Sequence, residues 1–373
     1  MTTERFSLKD HLFNPEKVAY LGGLLEPAVA GFDRGRFEGQ IVEAMPALEL
    51  KQRIALIASV LSDHLSPDFT TAAAQMRAAL PPPLDPSLQD DDFGDFIFAP
   101  FGKYVEDNGL GHYDTSMELL RELTMRFSME GSVRPFIEME PGETLSRFRQ
   151  WAHDSHYHVR RLVSESTRPR LPWAPRISLD PAAPITLLDI LHADPTRYVT
   201  RSVANHLNDI SKIQPDLVIE TLSGWRAANR QEPGELAWIE SHALRTLVKQ
   251  GHSESLALLG FPPQPPVTGQ IEALAGQVRI GHTLIFDVSI EAHAETSLIV
   301  DYAIGFVRGN GNSGRRVFKL KRMQLAAGER IAFTKKHPLR GDATTYRLYP
   351  GRHTLELMAN GTTLATGQFD LVE

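Results

Sequence analysis

Three carboxylates, Glu130, Glu165 and Asp209, stand where a carboxylate is locally out of place. Glu130 precedes Gly131 at the end of a helical run, Glu165 lies four residues before Pro169, and Asp209 falls near the close of Val199 to Lys212. This spacing puts all three at helix C-termini, where the negative end of the helix dipole disfavours a carboxylate by about 0.3–1 kcal/mol. Carboxylates and helix C-termini gathered together would attract a cation or a developing positive charge. The bland alternative is three exposed acids with nothing in common. Arg161 and Glu165 are four apart and share a helix face, while Arg201, Asn205 and Asp209 form a polar stripe opposite Val203, Leu207 and Ile210. Beyond Glu165 the chain runs Thr167-Arg168-Pro169-Arg170-Leu171-Pro172-Trp173, a proline-stiffened basic loop that presents a tryptophan. Such a ring can stack on a base or ribose, or serve as a lid or core residue.

Other chemistry-bearing patterns are weaker. Gly309-Asn310-Gly311-Asn312-Ser313-Gly314 matches GxGxxG, but that fingerprint needs a helix after it, and Arg315 to Lys321 reads as a strand. The string is better taken as a basic hairpin loop. His153, His156 and His158 lie close together without a carboxylate or HExxH partner, so they read as surface or capping residues rather than metal ligands. The chain has no cysteine, which removes disulfides and thiolate metal sites.

The elements that must position these residues change character along the chain. Through the first two-thirds, apolar residues recur at helical spacing, as in Leu50, Ile54, Ile57 and Leu61 and again from Met117 to Phe127. Asp154, Val159, Arg161 and Val163 match Asp194, Val199, Arg201 and Val203 at an offset of 40 residues, a period that suits paired-helix repeats. Pro81-Pro82-Pro83 with Asp90-Asp91-Asp92 marks one break, and Pro262-Pro263-Gln264-Pro265-Pro266 a stronger one. After it the period becomes two, as in Leu284, Phe286, Val288 and Ile290, with Asn360-Gly361 as a tight hairpin turn. The expected fold is mainly α, a HEAT-like helical-repeat solenoid over residues 1–261, a Pro-rich linker at 262–268, and an immunoglobulin-like β-sandwich over 269–373.

With 373 residues and 42% hydrophobic content the chain can bury two cores. Its net charge of -7 is unevenly spread: residues 264–373 carry 13 Lys+Arg against 10 Asp+Glu, leaving 26 against 36 for the rest. From Arg308 to Arg352 there are 12 basic residues and two acidic ones, which suits either a polyanion footprint or a solvated strand face. The absence of a signal-like start or an apolar membrane run leads to the expectation of a cytoplasmic protein.

The run Arg160 to Pro175, Arg-Arg-Leu-Val-Ser-Glu-Ser-Thr-Arg-Pro-Arg-Leu-Pro-Trp-Ala-Pro, resembles the signature of the AlkC-type alkylpurine DNA glycosylases, of the HEAT-like-repeat AlkC/AlkD superfamily. Leu48–Ile54, Phe101–Leu110, Met129–Phe136 and Val199–Lys212 match as well, so the resemblance covers nearly all of residues 6–260. Ser166 and Gly131-Ser132 depart from the family pattern, which bears on pocket shape and lesion range and removes no carboxylate. Some members carry a C-terminal immunoglobulin-like domain that helps to grip DNA. The resemblance implies hydrolysis of the N-glycosidic bond of cationic alkylated bases, 3-methyladenine first and 3-methylcytosine second. A cationic base leaves neutral without a general acid, so carboxylates need only stabilise the sugar cation and position water.

On this reading Glu165 lies nearest the deoxyribose, Glu130 and Asp209 complete the pocket, Trp173 packs on the sugar or lesion, and Arg161 holds Glu165 or a phosphate. Phosphate contacts fall to Arg160, Arg168, Arg170, Arg201 and Lys212 on the helical part, and to Arg315, Arg316, Lys319 and Lys336 on the sandwich. No cofactor or metal is called for, the partner is double-stranded DNA containing alkylated bases, and the protein is expected to be a monomer. The rivals are a non-catalytic HEAT-repeat scaffold that binds DNA or protein, and a carbohydrate-active hydrolase, which 8% aromatic content disfavours.

Overall fold

A computed structural model describes residues 7–87, 93–309, 312–341, 343 and 346–373. The acidic run Asp90–Asp92, and Asn310 and Gly311 of the glycine-rich string, lie outside the described residues. The helical spacing of the first two-thirds resolves into α1 (Leu8–Leu12), α2 (Pro15–Leu25), α3 (Arg34–Ala44), α4 (Leu50–His64), α5 (Phe69–Ala78), α6 (Ala99–Asn108), α7 (Tyr113–Thr124) and α8 (Arg134–Met139). They are followed by α9 (Pro141–Trp151), α10 (Tyr157–Ser166), α11 (Ile185–Leu191), α12 (Arg197–Ile210), α13 (Pro215–Ala228), α14 (Pro233–Ala243), α15 (Arg245–Gln250) and α16 (Ser253–Leu258). The strands are β1 (Val267–Ala273), β2 (Gln277–Arg279), β3 (Thr283–Ala292), β4 (Thr296–Val307), β5 (Ser313–Leu325), β6 (Arg330–Pro338), β7 (Gly351–Ala359) and β8 (Thr362–Val372). The chain divides into two compact units, Met1–Gln214 with Gly224–Ile239, and Pro215–Ser223 with Glu240–Glu373.

The 40-residue offset has a structural cause. Asp154 and Asp194 each accept the backbone N–H two residues on, at 2.8 Å, immediately before α10 and α12. Each carboxylate also receives an arginine from the preceding repeat, Arg121 on Asp154 at 2.7 Å and Arg160 on Asp194 at 2.5 Å. Val159 and Val163 on α10, and Val199 and Val203 on α12, are fully buried where those two helices pack together. One residue pattern thus sets the turn into a helix, ties the helix to its predecessor and buries its face.

The sheets of the second unit have orders β1-β3-β6 and β2-β8-β7-β4-β5, antiparallel except for β2 beside β8. Leu284, Phe286, Val288 and Ile290 of β3 face a core completed by Leu298, Val300 and Tyr302 of β4 and by Leu355 and Phe369. Asn360 and Gly361 both have positive φ and join β7 to β8 in two residues, the turn expected from their type. Arg315 to Lys321 lies in β5, so a strand follows Gly314 where the dinucleotide fingerprint needs a helix.

A short backbone clamp leads into the site. Beyond α7, Leu84 N–H donates to Met125 O at 2.9 Å, Asp95 N–H to Arg126 O at 3.0 Å, and Gly94 pairs with Phe127. Gly94 has φ 78°, and a Cβ there would lie 1.8 Å from Arg126 O, so only glycine fits. Gly94→Ala is expected to destabilise the protein by at least about 1–3 kcal/mol and to lower the melting temperature of the helical circular-dichroism signal by several degrees. An unchanged melt would show that the 125–127 segment is free to move.

Candidate active site

Glu165 stands on the last turn of α10 and Asp209 on the last turn of α12, both 5% exposed. Glu130 does not end a helix: α7 stops at Thr124, and Glu130 lies in the turn that leads into α8. The apolar period continues to Phe127, but Leu84 and Asp95 take the Met125 and Arg126 carbonyls out of helical pairing.

The structure joins the three carboxylates through arginines. Arg161 Nη1 lies 3.4 Å from Glu130 Oε2, and its Nη2 lies 3.6 Å from Glu165 Oε1. Arg168 donates from Nη1 to Glu165 Oε1 at 2.5 Å, and from Nε and Nη2 to Asp209 Oδ2 at 2.9 and 2.8 Å. Lys212 closes the row on Asp209 Oδ1 at 3.0 Å. Ser202 of α12 donates to Glu165 Oε2 at 2.6 Å, and Ser128 bonds to both Glu130 and Arg161. Arg161 also lies 4.8 Å above the Tyr198 ring, a cation–π contact.

Charge therefore alternates along Glu130, Arg161, Glu165, Arg168, Asp209 and Lys212. Burial alone would push the Glu165 carboxyl up, but the charges of Arg161 and Arg168 and the Ser202 bond hold it below the ordinary value. Burial would lower Arg161 and Arg168, but the charges of Glu130 and Glu165 raise the first and those of Glu165 and Asp209 raise the second. His206, fully buried on α12, is pushed down to about 3 by burial and by the Arg168 charge, so it stays neutral behind the row.

Glu130 is the most open of the three, its side chain 24% exposed against 7% for Glu165 and 6% for Asp209. It lines two clefts shared with Trp173. One, of about 520 Å³, runs past Ile54, Phe96, Glu106 and Ser132; the other, of about 760 Å³, past Leu12, Phe93 and Phe127. Glu165 and Asp209 line neither cleft. Trp173 is 66% exposed with φ 68°, a conformation costing a bulky residue about 1–3 kcal/mol. Lys51 Nζ holds its carbonyl at 2.7 Å.

The remaining expected contacts divide. The forks of Arg160 and Arg168 and the ammonium of Lys212 are occupied by Asp194, Glu165 and Asp209, so in this state they serve carboxylates rather than phosphates. Arg170 is exposed and Arg201 half-buried. On the sheets, Arg315 pairs with Glu356 at 2.9 Å, Arg316 lies over Tyr346 at 4.8 Å, Lys319 pairs across the strands with Asp301, and Lys336 is exposed on β6. His156 caps α10 and His158 is buried rather than on the surface. Among the described residues no three His, Asp or Glu are grouped to hold a metal, and no helix is long and apolar enough to cross a membrane.

Sequence reasoning missed Ser128, Ser202 and Arg134. The two serines carry no signal beyond small polar type at buried helix or turn positions. Arg134, 1% exposed, donates to Ser166 O at 2.8 Å, Arg168 O at 3.0 Å and Pro175 O at 2.8 Å.

Comparison with known proteins adds three findings. Residues 268–373 match the family model described as the C-terminal Ig-like domain of the uncharacterised protein YhaZ. The uncharacterised protein YhaZ of Bacillus subtilis (strain 168) is 31% identical over 357 residues, 94% of this chain and 95% of that one. The solved structure of the Pseudomonas fluorescens alkylpurine DNA glycosylase AlkC, bound to DNA containing an abasic site analog, superposes with a TM-score of 0.85 at 31% identity. That match covers 99% of this chain and 100% of that one.

Arg168→Met strips the cation shared by Glu165 and Asp209 and should lower stability to urea at pH 7 by about 3–5 kcal/mol. Ionised Glu165 stabilises the wild type above pH 4.5, and that contribution is lost as pH falls through its lowered folded value. Without Arg168 the two carboxylates lose their shared cation, the Glu165 carboxyl is held down less, and its protonation relieves the fold. The gap between wild type and variant should therefore narrow below pH 4.5; a constant gap from pH 7 to 3 would show that Arg168 is not their counter-charge.

Proposed function

We propose that this chain, which belongs to the family of the alkylpurine DNA glycosylase AlkC and of YhaZ, is a DNA-repair glycosylase that releases cationic alkylated bases from double-stranded DNA. The observation that carries the reading is the row of three carboxylates paired with arginines beside an exposed tryptophan, in a chain of AlkC fold from end to end.

The chemistry follows from the substrate class. In 3-methyladenine, or 3-methylcytosine, the base carries the positive charge, so the N-glycosidic bond breaks with its electron pair going to the ring and the base leaves neutral. The deoxyribose is left as an oxocarbenium-like cation. Water adds to its anomeric carbon and gives one proton to a carboxylate, which yields an abasic sugar. Glu130 faces the clefts and Trp173, and so suits the task of orienting that water. Glu165 and Asp209, held behind it, supply a fixed negative field that needs no reorganisation as charge develops on the sugar. Trp173 packs on the sugar or the lesion. The neutral row as a whole avoids repelling the phosphate backbone, which three bare carboxylates would do.

Phosphate binding falls to Arg170 and Arg201 on the helical part, and to Arg315, Arg316, Lys319 and Lys336 on the immunoglobulin-like part, joined through the proline-rich residues 262–268. A cytoplasmic monomer is consistent with this role.

Release of free base from methylated genomic DNA, resolved by base identity, tests the assignment. Wild type should release 3-methyladenine, and Glu165→Gln and Glu130→Gln should each lose at least about 100-fold. A folded, DNA-binding wild type that releases nothing would make the protein a scaffold. Separately, replacing Arg315, Arg316, Lys319 and Lys336 with Gln should weaken duplex binding and flatten its log–log salt dependence by about 0.9 for each phosphate no longer neutralised. An unchanged slope would remove the sandwich from the interface.

A further inference from the structure

Arg134 opens α8 and is buried with no carboxylate within ion-pair distance among the described residues. Its partners are three carbonyls of one segment: Ser166 at the end of α10, Arg168, and Pro175. A cation among the last carbonyls of α10 offsets the negative helix end on which Glu165 stands. One turn further along α8, Glu138 accepts the N–H of Ser178, so the same helix face holds the segment on both sides of Trp173.

Trp173 needs such a hold. Its left-handed backbone persists only where the surroundings over-determine it. Between the carbonyls gripped at Arg168 and Pro175, Leu171 is anchored by burial and the Trp173 carbonyl by Lys51. The planar fork of arginine reaches all three carbonyls at once, which a single ammonium on a flexible stem does not.

We propose that Arg134 is the positioning residue of the site, fixing the carboxylate-bearing end of α10, the Arg168 bridge and the strained Trp173 as one rigid piece. The proposal concerns the reaction through the glycosylase reading, and its geometric content stands apart from it. Arg134→Lys and Arg134→Met in the full-length protein are followed by three measurements. These are single-turnover release of 3-methyladenine at saturating methylated duplex, duplex affinity, and iodide quenching of Trp173 emission, taken as the difference from Trp173→Phe.

Both variants should slow release by about 100-fold, as expected for a misplacement near 1 Å, with duplex affinity unchanged and Trp173 quenching altered. Wild-type rate and quenching in Arg134→Lys overturn the proposal, as does altered quenching at an unchanged rate. If Arg134→Met does not fold, Arg134→Lys decides. If wild type releases no base, the glycosylase reading falls, and quenching alone decides whether Arg134 holds Trp173.

Discussion

An ionised carboxylate removed from water costs several kcal/mol unless a counter-charge and hydrogen bonds replace its hydration. Glu165 and Asp209 are both 5% exposed and both end helices, so they meet that cost twice, once from burial and once from the helix dipole. The arrangement is possible because Arg161 and Arg168 each serve two carboxylates. Arginine suits this: its planar fork presents donors in several directions and stays charged when buried. What results is a row of fixed charges whose sum is small and whose local field is strong.

The helical frame is arranged around that row. α10 and α12 pack side by side, each entered past an aspartate tied to an arginine one repeat earlier, so the end of the shorter α10 lies beside the middle of α12 and Glu165 can reach Ser202 across the contact. Glu130 joins from a turn instead of a helix end, which leaves it more exposed than the other two and in reach of the clefts. Arg134 then closes the segment that follows α10 back onto α8.

Much of this is legible in the residues, and what is not has physical causes. Period-two alternation in β3, the Asn360-Gly361 turn and the repeat at Asp154 and Asp194 are local signals, and they become the elements they indicate. The Arg161–Glu165 spacing likewise forecasts a shared helix face. Residue spacing misplaces Glu130 because the hydrophobic period continues to Phe127 while the backbone, bonded to Leu84 and Asp95, has already left the helix. It makes Arg168 a phosphate ligand because the second partner of that arginine, Asp209, is 41 residues away and only tertiary packing brings it near. A lone arginine before Pro135 gives no sign that it will be buried among carbonyls.

The two sheets of the immunoglobulin-like part end in strands β5 and β6, whose outer edges have no partner strand among the described residues. Such edges invite pairing with another chain unless charge prevents it. Arg315, Lys319, Lys321 and Arg322 along β5, and Lys335 and Lys336 along β6, make two approaching copies repel one another. The residues that suit a polyanion are thus also guards against self-association, and any ligand that neutralised them would lower that guard while it stayed bound.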